Sequence, residues 1–150
     1  MAALAEAGGM SGLEFIRAMF SGKLPAPPIT ATMGFTGGDA SEGAVTFNGE
    51  AGEHLYNPIG VVHGGFAMTI LDSAMGCAVH TTLAAGEAYT TLETKVNFVR
   101  PITLETGRLR CDGVVVHRGA KIATAEGRLV AEQSGKLLAH GTTTCLVFNR

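Results

Sequence analysis

GGFAMTILDSAMGCAVHTTL, residues 64–83, is a long run with few turn formers, enough for about five turns of α-helix. Phe66, Ala67, Met68, Ile70, Leu71, Ala74, Met75, Cys77, Ala78 and Val79 make it apolar nearly all the way round. A helix of that kind must be covered on most sides. What covers it is written downstream. After Gly86, the residues Leu92, Thr94, Val96 and Phe98 alternate with Glu93, Lys95 and Asn97, the period of a strand with one buried face. Three more strand-like runs follow near 104–117, 120–131 and 136–148, parted by His117-Arg118-Gly119 and Gln133-Ser134-Gly135. With the 89–100 run they are expected to form an antiparallel meander.

Upstream, GG and SEG turn signals divide Thr32–Phe47 into two strands of a hairpin. SGLEFIRAMF, residues 11–20, spaces Leu13, Ile16 and Phe20 as a short amphipathic helix, with Ser11 as N-cap and Gly22 as stop. The PAPP run at 25–28 ends it. The order is therefore two strands, one long helix, then four strands, and a sheet of that size hides a single helix only by curling round it. The expectation is an α+β domain over residues 29–150, preceded at 1–28 by a short helix and a Pro-rich linker.

Composition narrows the function classes. The chain has 150 residues, which suits one domain; only 16% are charged and 46% are hydrophobic, which points to surface buried between subunits. The net charge is −2 and the basic residues are scattered, so neither nucleic acid nor an anionic membrane is an expected partner. The uncharged stretch from His54 to Leu71 is broken by Asn57, Pro58 and glycines and is not expected to span a membrane. Residues 1–16 hold no Lys or Arg, so no secretory signal is expected. Cys77, Cys111 and Cys145 sit in apolar segments as free thiols would in a reducing compartment, so the expected location is cytoplasmic. No metal is expected, because His54, His63, His80, His117 and His140 lack ligand spacing.

Within the apolar helix stands one carboxylate, Asp72, costly to bury unless paired or facing a site. At the helix start, His63-Gly64-Gly65 offers unpaired N–H groups and the positive dipole end to an oxyanion, and glycine admits close approach. Asp72 lies eight positions past Gly64, roughly 12 Å along the axis at 1.5 Å per residue. If both serve one reaction, the carboxylate must come from a second subunit with an antiparallel helix, as a two-fold axis arranges. Asn57, before Pro58, is either a turn residue or a donor to the reacting carbonyl or a water.

Asn57, then His63-Gly64-Gly65, then Asp72, then TTLETKVNFVRP at 90–101 together resemble the hotdog-fold acyl-CoA thioesterases of the phenylacetate-degradation, PaaI-like branch. The resemblance runs from about Phe35 to Phe148. It implies a curled sheet of about six strands around one helix, and a homodimer that pairs into a homotetramer. It implies hydrolysis of an aryl- or medium-chain acyl-CoA with no cofactor beyond the CoA of the substrate. By the same likeness Asp72 is the general base or nucleophile, Gly64 or Gly65 the oxyanion donor, and Asn57 a positioner. His63 contacts the thioester, and Thr91, or its neighbour Thr90, holds the water. Arg118 and Lys121, flanking Gly119, are the cations for the CoA phosphates. The alternatives are a hydratase or dehydratase of the same fold and a non-enzymatic acyl-CoA-binding module.

Overall fold

The computed structural model describes residues 9–149; residues 1–8 and 150, where the outer ends of the two expected segments fall, lie outside the described residues. Ser11 caps helix α1 (Gly12–Phe20). Its hydroxyl accepts the Glu14 N–H at 3.4 Å, and Glu14 Oε2 accepts the Ser11 N–H at 2.8 Å, so two helix-start donors are satisfied reciprocally. Ile16, 1% exposed, carries α1 into the core. The expected linker winds into a second, short helix, α2 (Pro28–Met33). Pro28 occupies its first turn, where a missing N–H costs nothing, and Gly34 ends it at φ +71°. Strands β1 (Phe35–Ser41) and β2 (Ala44–Glu50) form the expected hairpin, displaced towards the C-terminus because α2 takes Thr32 and Met33; its turn falls at the SEG signal, whereas Gly37-Gly38 lies inside β1, where the pairing with β2 slips between Gly37 and Ala40.

The long helix, α3, runs Gly64–His80. It stops short of residue 83 where the Thr81 and Thr82 hydroxyls turn back to the Ala78 and Val79 carbonyls at 2.6 and 2.7 Å. Four strands follow: β3 (Glu87–Phe98), β4 (Arg108–Arg118), β5 (Ile122–Ala131) and β6 (Leu137–Asn149). They make one six-stranded antiparallel sheet of order β1-β2-β4-β5-β6-β3, curled round α3 as the α+β reading requires. The meander differs from expectation in one respect. β4, β5 and β6 are consecutive, but β3 lies beyond β6 and does not neighbour β4. The reason is the connection: residues 99–107, with Pro101 and a 3-10 turn, cross back to the other side of the sheet, where a hairpin would need a tight turn.

Ile70, Leu71, Ala74, Met75 and Ala78 of α3 are buried against Leu109, Cys111, Ala123, Ala125 and Leu129. Helix and sheet meet over two glycines that the strand register lines up, Gly113 on β4 opposite Gly127 on β5. A Cβ at Gly113 would press on the Ala74 carbonyl and lie 2.7 Å from the Met75 nitrogen; one at Gly127 would lie 2.9 Å from Leu71 and Met75 side chains. Helix backbone cannot step aside as a flexible side chain can. Gly113→Ala is therefore expected to destabilise the fold by about 3 kcal/mol, the overpacking cost outweighing the gain from a stiffer unfolded chain. Thermal unfolding by circular dichroism measures it, and an unchanged midpoint would contradict the close approach.

No helix among the described residues is long and apolar enough to cross a membrane.

Candidate active site

Two groups of residues matter, at different levels of α3. The first surrounds its N-terminus. His63 is the N-cap, and its Nδ1 accepts the Gly65 N–H at 2.8 Å. That bond occupies Gly65 and leaves Nε2 as the donor of the ring. The Gly64 N–H has no partner among the described residues. Gly64 packs close to β3, since a Cβ there would lie 3.0 Å from the Phe98 ring and the ring would have to give way. The loop before it is tied down by the His63 N–H to the Leu55 carbonyl at 2.7 Å and the Val62 N–H to the Ile102 carbonyl at 2.9 Å.

Asn57 builds the turn within that loop: its Oδ1 accepts the Ile59 and Val61 N–H groups at 3.1 and 3.3 Å. Turn chemistry thus takes the carboxamide oxygen, and Nδ2 remains as a donor. A cavity of about 470 Å³ opens here, lined by Asn57, His63, Gly64, Phe98, Arg100 and Ile102 among others. Arg100 borders it with its Nη1 on the Leu137 carbonyl at 2.7 Å.

The second group surrounds Asp72, which is half-buried on the helix. The hydroxyls of Thr91 and Thr94 both donate to its Oδ1, each at 3.2 Å. In a regular strand, residues three apart face opposite ways. Here the pairing of β3 with β6 slips between Thr91 and Glu93, a β-bulge that leaves Leu92 unpaired and turns both threonines to the helix. The alternation read from the sequence puts Thr91 with Glu93 and Lys95; the bulge places it instead with Thr94 and Val96. Thr90 is exposed and makes no bond to Asp72. Thr94 escapes the sequence reading, because an i, i+3 pair on one face is invisible to a period of two.

Beside Asp72 in the chain, Ser73 and Cys77 form one wall of an apolar cavity of about 250 Å³, closed by Phe20, Pro27, Ile29 and Phe35 of the N-terminal elements. Burial, followed by the Asp72 charge, pushes the Cys77 thiol up to about 12, so it is a neutral wall and not a nucleophile. Above Cys77, Tyr89 lies across Gly76, where a Cβ would come 2.6 Å from its hydroxyl, and meets His80 edge-on at 5.6 Å. His80 in turn stacks on Phe15 at 5.1 Å and ties α1 to the end of α3.

Arg118 is held by Glu87: its Nη2 donates to both carboxylate oxygens at 3.0 and 3.1 Å, and its Nη1 to the Gly119 carbonyl. The Ala84 N–H holds the Glu87 carboxyl below the usual range; burial opposes it, and the Arg118 guanidinium adds to the lowering. Lys121 is exposed.

The geometry finds counterparts among known proteins. The family model described as "Thioesterase superfamily" matches residues 59–138, more than half of the chain and a stretch that holds His63, Gly64, Asp72, Thr91 and Thr94. Among solved structures, the chain is 30% identical to a phenylacetic acid degradation-related protein of Ralstonia eutropha JMP134, with a TM-score of 0.78, over 87% of this chain and 98% of that one. It is 26% identical to a variant of the phenylacetic acid degradation protein PaaI of Thermus thermophilus, with a TM-score of 0.72, over 80% and 98%. It is 25% identical to smu.793 of Streptococcus mutans UA159, a structure bound to acetyl CoA, with a TM-score of 0.69, over 77% and 90%. No match is found among curated protein sequences. Sequence pattern, curled sheet and family match agree, and the chain belongs to the hotdog-fold thioesterase superfamily, related to its PaaI-type members.

Proposed function

We propose that this protein hydrolyses an aryl- or medium-chain acyl-CoA to the free acid and CoA, at active sites shared between two copies of the chain. The observation that carries the reading is the division of labour along α3. The unpartnered Gly64 N–H stands at one level and the anchored Asp72 carboxylate at another, roughly 12 Å apart on a straight helix. An antiparallel partner helix brings the Asp72 of one copy to the Gly64 of the other. β3 supports the same pairing, being a twelve-residue edge strand with Leu92 and Phe98 exposed, a form that edge strands avoid unless they are covered. The exposed Val114, Ile122 and Phe148 on the sheet face away from α3 support a further pairing of dimers into a tetramer.

In this site the Gly64 N–H polarises the thioester carbonyl and stabilises the oxyanion of the tetrahedral intermediate. Asn57 Nδ2 and His63 Nε2 are donors on the same rim. Asp72 acts as base towards a water or as nucleophile, and Thr91, whose oxygen keeps lone pairs after donating to Asp72, accepts a hydrogen from that water. Lys121, exposed beside Arg118 and Gly119, is the cation assigned to the CoA phosphates. The acyl group enters the apolar cavity behind Ser73 and Cys77; a cavity of about 150 Å³ holds a benzene ring, so one of about 250 Å³ suits an aryl or medium-chain acyl group.

Free-thiol release from acetyl-, hexanoyl-, octanoyl-, benzoyl- and phenylacetyl-CoA tests the proposal. Wild type should prefer the larger acyl groups. Cys77→Phe, which fills the cavity, should lower kcat/KM for them by about tenfold or more while sparing acetyl-CoA, the scale of discrimination that an apolar pocket supplies. Release from none of the esters would refute hydrolysis, and a Cys77→Phe enzyme with wild-type preferences would refute the acyl pocket.

A further inference from the structure

Behind Asp72 lies a second layer of hydroxyls. Thr143 of β6, 2% exposed, donates to the Glu93 carbonyl at 2.7 Å, at the site of the bulge. That bond commits the one hydrogen of Thr143. The Thr94 and Thr143 hydroxyl oxygens stand 3.2 Å apart, and only the hydrogen of Thr94 can bond that pair. The same hydrogen is the one Thr94 gives to Asp72 Oδ1, also at 3.2 Å. One hydrogen therefore faces two acceptors at equal distance. Both threonine donors fall on Oδ1, so Asp72 Oδ2 is the oxygen left without a partner among the described residues.

We infer that Thr94 is a positioning residue for Asp72 that works as a two-position hydroxyl, with Thr143 as its alternative acceptor. While Asp72 is a carboxylate, Thr94 donates to Oδ1 and holds the side chain so that Oδ2 meets the substrate or the attacking water. When Oδ2 takes up a proton or forms a bond to acyl carbon, Oδ1 becomes a weaker acceptor and the Thr94 hydroxyl turns to Thr143. The step is a rotation about Cβ–Oγ1, with no atom or charge transferred. Its value is that the half-buried hydroxyl is never left unsatisfied as the charge on Asp72 changes, so the reacting state does not carry the cost of a broken bond. The bulge makes this possible, because a regular strand would turn Thr94 and Thr91 to opposite faces.

The inference rests on Asp72 being the reacting group, so Asp72→Asn is measured beside the threonine variants, by thiol release from the ester that wild type cleaves fastest. Thr94→Val is expected to lower kcat about ten- to hundredfold with KM within about threefold, the weight of a hydrogen bond to a charged group. Thr94→Ser should return kcat to within about threefold of wild type, and Thr143→Val should give a smaller loss confined to kcat. If Asp72→Asn is inactive but Thr94→Val keeps wild-type kcat, or if Thr94→Ser is as impaired as Thr94→Val, the inference is overturned and the function of Asp72 stands. An unchanged kcat in Thr143→Val overturns the two-position hydroxyl. Full activity in Asp72→Asn overturns both readings. Should Thr94→Val fail to fold, Thr143→Ser against Thr143→Val decides: Ser must keep kcat and Val must lose it, and equal rates overturn the inference.

Discussion

Asp72→Asn is expected to lower kcat for acyl-CoA hydrolysis by about a thousandfold, within the range that a positioned base or nucleophile contributes. The effect has a chemical and a structural half. Chemically, a carboxamide cannot take a proton from water near neutral pH and cannot form the mixed anhydride that a carboxylate nucleophile would form. Structurally, the substitution is nearly isosteric, and the new Oδ1 still accepts the Thr91 and Thr94 hydroxyls that sit 3.2 Å from the present one. Replacing a half-buried charge by a neutral group removes a desolvation cost. The variant should therefore fold, assemble and bind substrate. Circular dichroism, sizing by light scattering and KM for any residual activity check those points. A loss of kcat with assembly intact assigns the chemistry to Asp72, whereas a kcat within tenfold of wild type would remove it from the reaction.

Two inactive variants are expected to regain activity when mixed. Gly64→Pro removes the one unpartnered N–H at the start of α3, at a helix position where proline is tolerated because that N–H makes no intrahelical bond. The added ring presses on Phe98, which is more than half exposed and free to yield at its outer edge. Asp72→Asn and Gly64→Pro should each be inactive alone. If a site takes Gly64 from one protomer and Asp72 from the other, a mixed dimer has one site with both defects and one with neither. Random pairing makes half of the dimers mixed, so equal amounts unfolded and refolded together should show about a quarter of wild-type activity. If both groups served from one chain, every site would carry one defect and the mixture would stay inactive. The result thus reads the composition of the site directly, without any need to see the interface.

Much of the fold was legible because burial leaves a period in the sequence. The apolar girth of residues 64–80 marks a helix that something must wrap, and the alternation after Gly86 marks what wraps it. Ser11 announces the cap of α1, and the SEG signal at 41–43 places the hairpin turn between β1 and β2. Helix α2 escapes that reading although its punctuation is present, with proline at the start and glycine at φ +71° past the end, because six residues hold too little amphipathic pattern to outweigh a proline-rich composition. The place of β3 beyond β6 escapes it too, since pairing partners distant in sequence leave no local trace.

Residue order is enough to establish that one carboxylate stands in an apolar helix, that a glycine pair opens that helix, and that the two are too far apart to meet on one chain. Those are consequences of residue type and of the fixed rise of a helix, both local quantities. Which atoms remain available is a property of the folded chain alone. His63 takes the Gly65 N–H and leaves that of Gly64; Asn57 spends its oxygen on a turn and keeps its nitrogen; Glu87 holds Arg118; and a bulge at Leu92 delivers Thr91 and Thr94 to the same oxygen of Asp72. Each is a competition for hydrogen bonds among groups that the sequence does not rank, and it is settled only when the sheet closes over the helix and each donor finds its nearest acceptor.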